Sequence, residues 1–179
     1  MVSSVIRLKA VLSTDPKTWA NPDHRPDDSH IWPKIEKLIS RLEIPIAKVD
    51  GKSFVGNYQW DGQMITAGRC DNLLHDLAHY QCAHPNRRFM PDFGLGTAPD
   101  SFEYSPLAPG MTKDESEFEE ACASVLGMLW EIHFKMPFEY TVAYHQWDID
   151  PDANPQLDWL KKHGLIHAGK AVLKLREQA

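Results

Sequence analysis

Two histidines stand four residues apart in the segment HDLAH, at His75 and His79, with Asp76 directly after the first. On a helix, positions i and i+4 lie on one face one turn apart, so both imidazoles can offer nitrogens to a single ion. Two ordinary histidines would give the same pattern. The apolar residues around them, however, place the pair at the edge of a core, where an unpaired imidazole is costly. The segment therefore predicts a metal site on a helix.

A second helix downstream, in the segment ESEFEEACASVLG, offers carboxylates for the same ion. The candidates are Glu117, Glu119 and Glu120. The apolar face of the segment lies closer to Glu117, whereas Glu-Glu-Ala resembles the ligand-bearing helix of the zinc peptidases called gluzincins and favours Glu120. The acids would also stabilise a first helical turn through the helix dipole. Two imidazoles and one carboxylate leave coordination positions open, which is typical of a catalytic site.

Helices that position these residues are predicted from apolar residues at helical spacing and from the breakers that bound them. They are expected at about 29–44, 72–83, 115–134 and 155–163, with a last helix from about 167. Asp71 is expected to cap the second helix, and Thr112 or Asp114 the third. The stretch 85–111 holds too many prolines and glycines for a long element, and 21–30 should be a loop.

Three β-prone runs lie between the first two helices: IPIAKV, KSFVGNYQW and QMITAG. They are separated by Asp50-Gly51 and Asp61-Gly62, pairs that favour the two-residue turns of hairpins. We therefore expect a three-stranded antiparallel meander. FEYTVAY, after the third helix, would be one more strand.

Composition narrows the class of protein. A length of 179 residues with 42% hydrophobic residues supports one domain over residues 1–179. The net charge of −6 and the lack of a long basic cluster argue against DNA as a partner. Three cysteines without a CxxC pair suggest neither a disulfide framework nor a four-cysteine zinc site, and fit a reducing compartment. With no stretch of about 18 apolar residues, we predict a soluble cytoplasmic protein that does not enter a membrane.

Three segments together resemble one known family. HDLAHYQCAHPNRRFMPDFG, SEFEEA and MPF are similar to segments of the bacterial elongation factor P hydroxylases, over about residues 73–138. The matching features are the histidine pair, an Arg-Arg pair, an Asp-Phe-Gly, a glutamate-rich helix and a Pro-Phe; here they are His75 and His79, Arg87 and Arg88, Asp92 to Gly94, Glu117 to Glu120, and Pro137 and Phe138.

The resemblance implies a small zincin-like α+β domain, with the meander packed against helices, two of which carry the ligands. It implies one metal ion held by His75, His79 and Glu120, in an iron-type oxygenase centre that hydroxylates a modified lysine on elongation factor P. The chain departs from the family at Asp76, where the family has Glu, at Tyr80, where it has Trp, and at residues 95–97. These departures surround the expected site.

The aspartate bears on the type of reaction. The HExxH motif of metalloproteases uses a glutamate to take a proton from metal-bound water, and Asp76 is one methylene shorter. A displacement of about 1 Å can cost about a hundredfold in rate, so peptidase activity is disfavoured. An oxygenase with two histidines and one carboxylate does not need that base. Asp76 would then be an outer partner or a solvent-facing residue.

Three further residues are site candidates. Arg87 and Arg88 would bind an anionic group of the substrate or pair with the acidic helix. Asp92 would orient a ligand histidine through its free N–H, or cap a turn.

The leading hypothesis is a metal-dependent hydroxylase of a protein substrate such as elongation factor P, with Fe(II) favoured and Zn(II) as the alternative metal. The second hypothesis is a zincin-type metallohydrolase with Asp76 as a compromised base. The third is a non-catalytic domain that a metal braces and that binds another protein.

Overall fold

The computed structural model describes residues 29–44, 46–47, 64–65, 70–96, 105–136 and 155–165. Most of this part is helical, with α1 (Trp32–Arg41), α2 (Cys70–Cys82), α3 (Lys113–Phe134) and α4 (Pro155–Lys162). Strands β1 (Ile46–Ala47) and β2 (Met64–Ile65) have two residues each. Short 3-10 turns cover Ser29–Ile31, Pro85–Arg87 and Pro91–Gly94.

Helices α2 and α3 form the centre of the fold and run antiparallel. Leu74 and Leu77 of α2 and Val125 of α3 are completely buried. Burying a side chain of this size contributes about 1.5–3 kcal/mol, so the apolar faces of the two helices hold them together. The helices approach each other closely at Gly127, where a Cβ atom would lie 3.4 Å from the Cα of His75. A glycine at this position therefore lets the backbone of α3 approach the start of the histidine pair.

A capping box begins helix α3. The Thr112 hydroxyl accepts a hydrogen bond from the N–H of Glu115 at 3.2 Å, and the Glu115 carboxylate accepts one from the N–H of Thr112 at 2.8 Å. The helix ends at Lys135, which adopts a left-handed conformation with φ 61°. Of the two predicted caps, Thr112 is the one that the structure uses.

The outer helices pack on this central pair. Helix α1 begins with a proline in its first turn and buries Ile35 and Ile39, as its apolar spacing predicts. Helix α4 lies against α3 and buries Leu157 and Leu160 completely. Helix α2 begins at Cys70, so Asp71 is a buried residue of its first turn and not its predicted cap.

The predicted antiparallel β meander is wrong. Strand β1 pairs directly with β2 in parallel, with Ile46 opposite Met64 and Ala47 opposite Ile65. In a meander the middle run would lie between these two strands, and a direct pair leaves no room for it. The first and third β-prone runs thus pair with each other, in parallel and not antiparallel as the prediction has its neighbouring strands, since strand propensity alone does not determine how strands pair. The expected zincin-like α+β domain is thus replaced, over the described residues, by a mostly helical fold.

Several predicted features lie outside the described residues. They are the loop up to residue 28, the two Asp-Gly pairs, the middle β-prone run, FEYTVAY, Pro137 and Phe138, and the helix from residue 167. Among the helices that are described, none combines the length and the apolar character that crossing a bilayer requires.

Candidate metal centre

Side chains from α2 and α3 converge on one point. The Nε2 atoms of His75 and His79 are 2.9 Å apart. One oxygen of the Glu120 carboxylate lies 3.2 Å from the Nε2 of His75, and the other lies 3.1 Å from that of His79. An ion bound at about 2.0–2.2 Å from each ligand would hold such atoms roughly 3–3.5 Å apart. The three side chains therefore need little movement to bind one metal ion.

The two helices explain this convergence. His75 and His79 are one turn apart on α2, and their rings meet nearly at right angles with centroids 4.4 Å apart. Because α3 runs antiparallel and passes close to His75 at Gly127, its earlier residue Glu120 faces the same side of α2. The ligands come from two regular elements whose packing fixes their separation.

The three candidate glutamates have three different surroundings. Glu120 joins the histidines. Glu119 is buried and forms an ion pair with Arg87. Glu117 is exposed and pairs with Lys113 one turn earlier, at 3.4 Å. Glu117 therefore lies on the exposed side of α3, and Glu120 is the glutamate that lies next to the histidines.

The charges of the cluster depend on one another. Burial would raise the pKa of Glu120, but the charge of His79 and hydrogen bonds from both imidazoles hold it well below its usual value. Burial lowers the pKa of His79, but the Glu120 carboxylate outweighs this effect and raises it. Burial and the neighbouring His79 lower the pKa of His75. The Glu120 carboxylate thus favours a positive charge on the imidazoles, but His75 and His79 lie too close together for both to be protonated easily. A divalent cation would supply that charge and bind all three groups.

A pocket of about 190 Å³ opens beside the cluster. Its walls are His75, Asp76, His79, Asp92, Phe93, Leu95, Gly96 and Glu120. Burial raises the pKa of Asp76 to about 7, against the lowering effect of His79. Asp76 is half-buried and lines the pocket, so it is not fully exposed to solvent. The volume suits an ion, its water ligands and one substrate side chain.

The two arginines bind protein groups. Arg87 pairs with Glu119 and donates a hydrogen bond to the carbonyl oxygen of Phe93 at 2.7 Å. Arg88 donates to the carbonyl oxygen of Ala83 at 3.3 Å, and its guanidinium lies over the ring of Tyr80 at 4.8 Å. Neither arginine lines the pocket at the histidines. Arg87 therefore pairs with the acidic helix, one of its two expected roles, whereas the described contacts of Arg88 are with Ala83 and Tyr80.

Asp92 lies in the pocket wall, but it does not orient His79 as expected. The Nδ1 atom of His79 is buried and has no hydrogen-bond partner among the described residues. The ring of Phe93 instead stacks on the His79 imidazole, with centroids 5.3 Å apart and planes 16° from parallel. This contact was not predicted from the sequence, although the Asp-Phe-Gly segment that contains Phe93 is one of the features behind the family resemblance.

An unusual backbone turn presents Phe93 to the histidine. Asp92, Phe93 and Gly94 have φ angles of 44°, 55° and 70°, all in the left-handed region. Two of these residues are not glycine, which makes the turn strained. A Cβ atom on Gly94 would lie 2.8 Å from the Cβ of Ala108, so the turn also packs tightly against the following segment.

A larger groove of about 540 Å³ lies on the other side of the Arg87–Glu119 ion pair. Trp159, Phe118 and Met111 contribute to its walls. No histidine lines it, and its acids include Glu115, which caps α3. We place the candidate site in the smaller pocket, because the groups that can bind a metal are there.

Comparisons of the chain with models of protein families, with curated proteins and with solved structures found no match. A function for the chain is therefore inferred from the geometry of the site and from the motif residues.

Proposed function

We propose that this protein binds one divalent metal ion through His75, His79 and Glu120 and uses it to hydroxylate a protein substrate. The observation that carries the proposal is the convergence of two imidazoles and one carboxylate beside an open pocket. No fourth ligand joins the group among the described residues, so one side of the ion would remain available. Two histidines and one carboxylate with open positions are the ligand set of non-haem Fe(II) oxygenases, and iron is the favoured metal.

The residues of the chain have separate tasks in this proposal. Bound iron supplies the activation of dioxygen, with electrons from an external reductant. Phe93 and Leu95, both buried, form the apolar part of the pocket wall. Asp76 and Asp92 supply its carboxylates, and Asp76 can hold a proton near neutral pH because burial raises its pKa to about 7. The pocket admits a single side chain rather than a folded surface.

The resemblance of the motif residues to the elongation factor P hydroxylases makes elongation factor P the first substrate to test. Of the positions that depart from the family, Asp76, Leu95 and Gly96 line the pocket, and Tyr80 lies on α2. A side chain on another protein is therefore the natural second choice of substrate.

Metal content is the decisive measurement. Protein purified without added metal should contain up to one iron or zinc per chain. His79→Ala should lose that metal while keeping the helical circular dichroism of the parent. His84→Ala is the matched control, because His84 is an exposed histidine outside the pocket. Full metal content in His79→Ala would contradict the ligand assignment.

Activity assays then distinguish a hydroxylase from a metallohydrolase and from a non-catalytic domain braced by a metal. The iron-loaded protein, supplied with a reductant and elongation factor P, should consume oxygen and add one oxygen atom to the substrate, detected by mass spectrometry of its peptides. Tightly bound metal with neither oxygenation nor hydrolysis would favour a bracing role.

One observation favours a metallohydrolase as the second candidate. Asp76 lines the pocket beside the proposed ligands, where a carboxylate can serve as a general base. If the protein hydrolyses peptides, Asp76→Glu, which restores the longer side chain, should raise the rate by a large factor, and Asp76→Asn should abolish it. Under the hydroxylase proposal, Asp76→Glu leaves oxygenation largely intact.

A further inference from the structure

We infer that Arg87 is a positioning residue: it holds the left-handed turn at Asp92–Gly94 so that Phe93 fixes the ring of His79. The effect on the ring follows from contacts within the protein. The effect on metal affinity rests, in addition, on the proposed function.

Arg87 joins two parts of the fold that meet at the site. One nitrogen of its guanidinium pairs with the Glu119 carboxylate on α3, and another donates to the carbonyl oxygen of Phe93 in the turn. The side chains of Arg87 and Glu119 are only 15% and 11% exposed. Water screens such a pair far less than a surface pair, and breaking one partner leaves a buried charge. The planar fork of arginine suits two acceptors in different directions, and a lysine ammonium does so much less well.

The turn needs such support. A left-handed conformation costs a residue with a side chain roughly 1–2 kcal/mol, and Asp92 and Phe93 both adopt it. Four groups from outside the turn donate to carbonyl oxygens of the turn and its flanks: Ser105 to Pro91, Arg87 to Phe93, the N–H of Ala108 to Gly94, and Ser116 to Leu95. Of these four, Arg87 is the one that holds the carbonyl of the residue stacked on the histidine.

The ring of His79 depends on the turn. Its Nε2 atom contacts His75 and Glu120, but its buried Nδ1 atom has no hydrogen-bond partner among the described residues. Hydrogen bonding at that nitrogen is the usual way in which proteins fix a ligand histidine. Here the stacked ring of Phe93 limits the rotation of the imidazole instead. Arg87 acts on the same ligand set a second time, because it anchors Glu119, the residue next to Glu120.

The first test uses the metal-free protein. The face of Phe93 should shift the carbon-bound protons of the His79 ring upfield in the NMR spectrum, and Phe93→Leu identifies those signals by removing the shift. Arg87→Met should remove most of the same shift. Arg41→Met, at an exposed arginine in the last turn of α1, is the matched control and should leave it in place. Unchanged His79 signals in Arg87→Met would overturn the inference, whether or not the protein binds metal.

Arg87→Lys distinguishes positioning from general stability. Lysine can keep the ion pair with Glu119 and lose the bond to Phe93, so the melting temperature should be largely restored while the His79 shift is not. If Arg87→Met fails to fold, Arg87→Lys carries the test alone. If Arg87→Lys recovered both the melting temperature and the His79 shift, the positive charge alone would explain the role of Arg87, and the inference would be contradicted.

The second test uses cobalt(II) as a spectroscopic probe and zinc for affinity. Arg87→Lys and Arg87→Met should change the visible cobalt spectrum and weaken zinc binding about 10- to 100-fold, the range found when a partner of a ligand histidine is lost. A parent spectrum and affinity in both variants would contradict the effect on the metal. If the parent protein itself binds no metal, the proposed function fails, but the NMR test still decides the role of Arg87.

Discussion

The candidate metal centre has two walls of different construction. The helical wall consists of His75, His79 and Glu120 on α2 and α3, and its residues follow regular helix geometry. The turn wall consists of residues 92–96, and four of them, all except Leu95, have positive φ angles. The helical wall supplies the atoms that can bind an ion. The turn wall supplies the aromatic ring and the backbone that limit access to it.

The difference lies in what stabilises each wall. Burial of apolar side chains along two helices stabilises the helical wall, so no single contact determines it. Individual hydrogen bonds to carbonyl oxygens stabilise the turn wall, and the residues that make them lie up to 21 positions away in the chain. Substitutions in the helical wall should therefore change global stability and metal binding together. Those in the turn wall should act more locally.

Gly127→Leu should have the largest effect. A Cβ at this position already lies 3.4 Å from the Cα of His75, so the rest of a leucine must push α2 and α3 apart. We expect the free energy of unfolding to fall by about 3 kcal/mol, the upper part of the range for overpacking. Zinc affinity should fall too, because the ligands stand on both helices. Urea unfolding followed by circular dichroism and a zinc titration measure the two effects.

Gly127→Ala is the control for this prediction. Its Cβ would make an ordinary van der Waals contact, and alanine favours the helix by up to about 1 kcal/mol. The free energy of unfolding should change by less than about 1 kcal/mol. If Gly127→Leu were as stable as the parent, the two helices would not touch at this point.

Gly94→Ala should have the second-largest effect on stability, and it tests the turn wall. Alanine would have to adopt φ 70°, and its Cβ would lie 2.8 Å from that of Ala108. The left-handed conformation costs about 1–2 kcal/mol, and the close contact adds to this cost. We therefore expect the free energy of unfolding to fall by about 2 kcal/mol or slightly more. Gly164→Ala is the matched control, since Gly164 has φ 72° with no atom within 4 Å of its added Cβ. Equal losses in the two variants would show that the turn does not pack on Ala108.

The sequence predicted the helical wall better than the turn wall, and the reason is the range of the interactions. Apolar residues at helical spacing predicted α1, α2 and α3, and the four-residue spacing of His75 and His79 placed both on one face. The choice of Glu120 over Glu117 came from a resemblance, because the apolar pattern of α3 favoured Glu117, which the structure leaves exposed and away from the histidines. Which glutamate faces α2 depends on how the two helices pack, and one helix alone does not determine that.

The turn wall and the sheet were beyond local patterns. Phe93 does not favour a left-handed backbone and Asp92 only tolerates it better than most residues, so the two glycines, Gly94 and Gly96, were the clearest local signals. The turn is held in place by contacts from Arg87, Ala108 and Ser116. These residues are either distant from the turn in sequence or separated from it by irregular chain. The β-prone runs failed for a related reason: Asp-Gly pairs predict hairpins locally, but the parallel pairing of β1 with β2 is a long-range contact.

Thr112→Ala should have the smallest effect and should sharpen the contrast between global and local changes. It removes the hydroxyl that accepts from the N–H of Glu115, and losing an N-cap of this kind typically costs about 1 kcal/mol. Zinc affinity should stay at the parent value, because Glu119 and Glu120 lie about two turns inside the helix, past the part that frays. Thr112→Ser keeps the hydroxyl and should restore stability. If zinc affinity fell together with stability in Thr112→Ala, the packing of α3 on α2 would depend on its first turn, and the helical wall would be less rigid than the buried face of α3 implies.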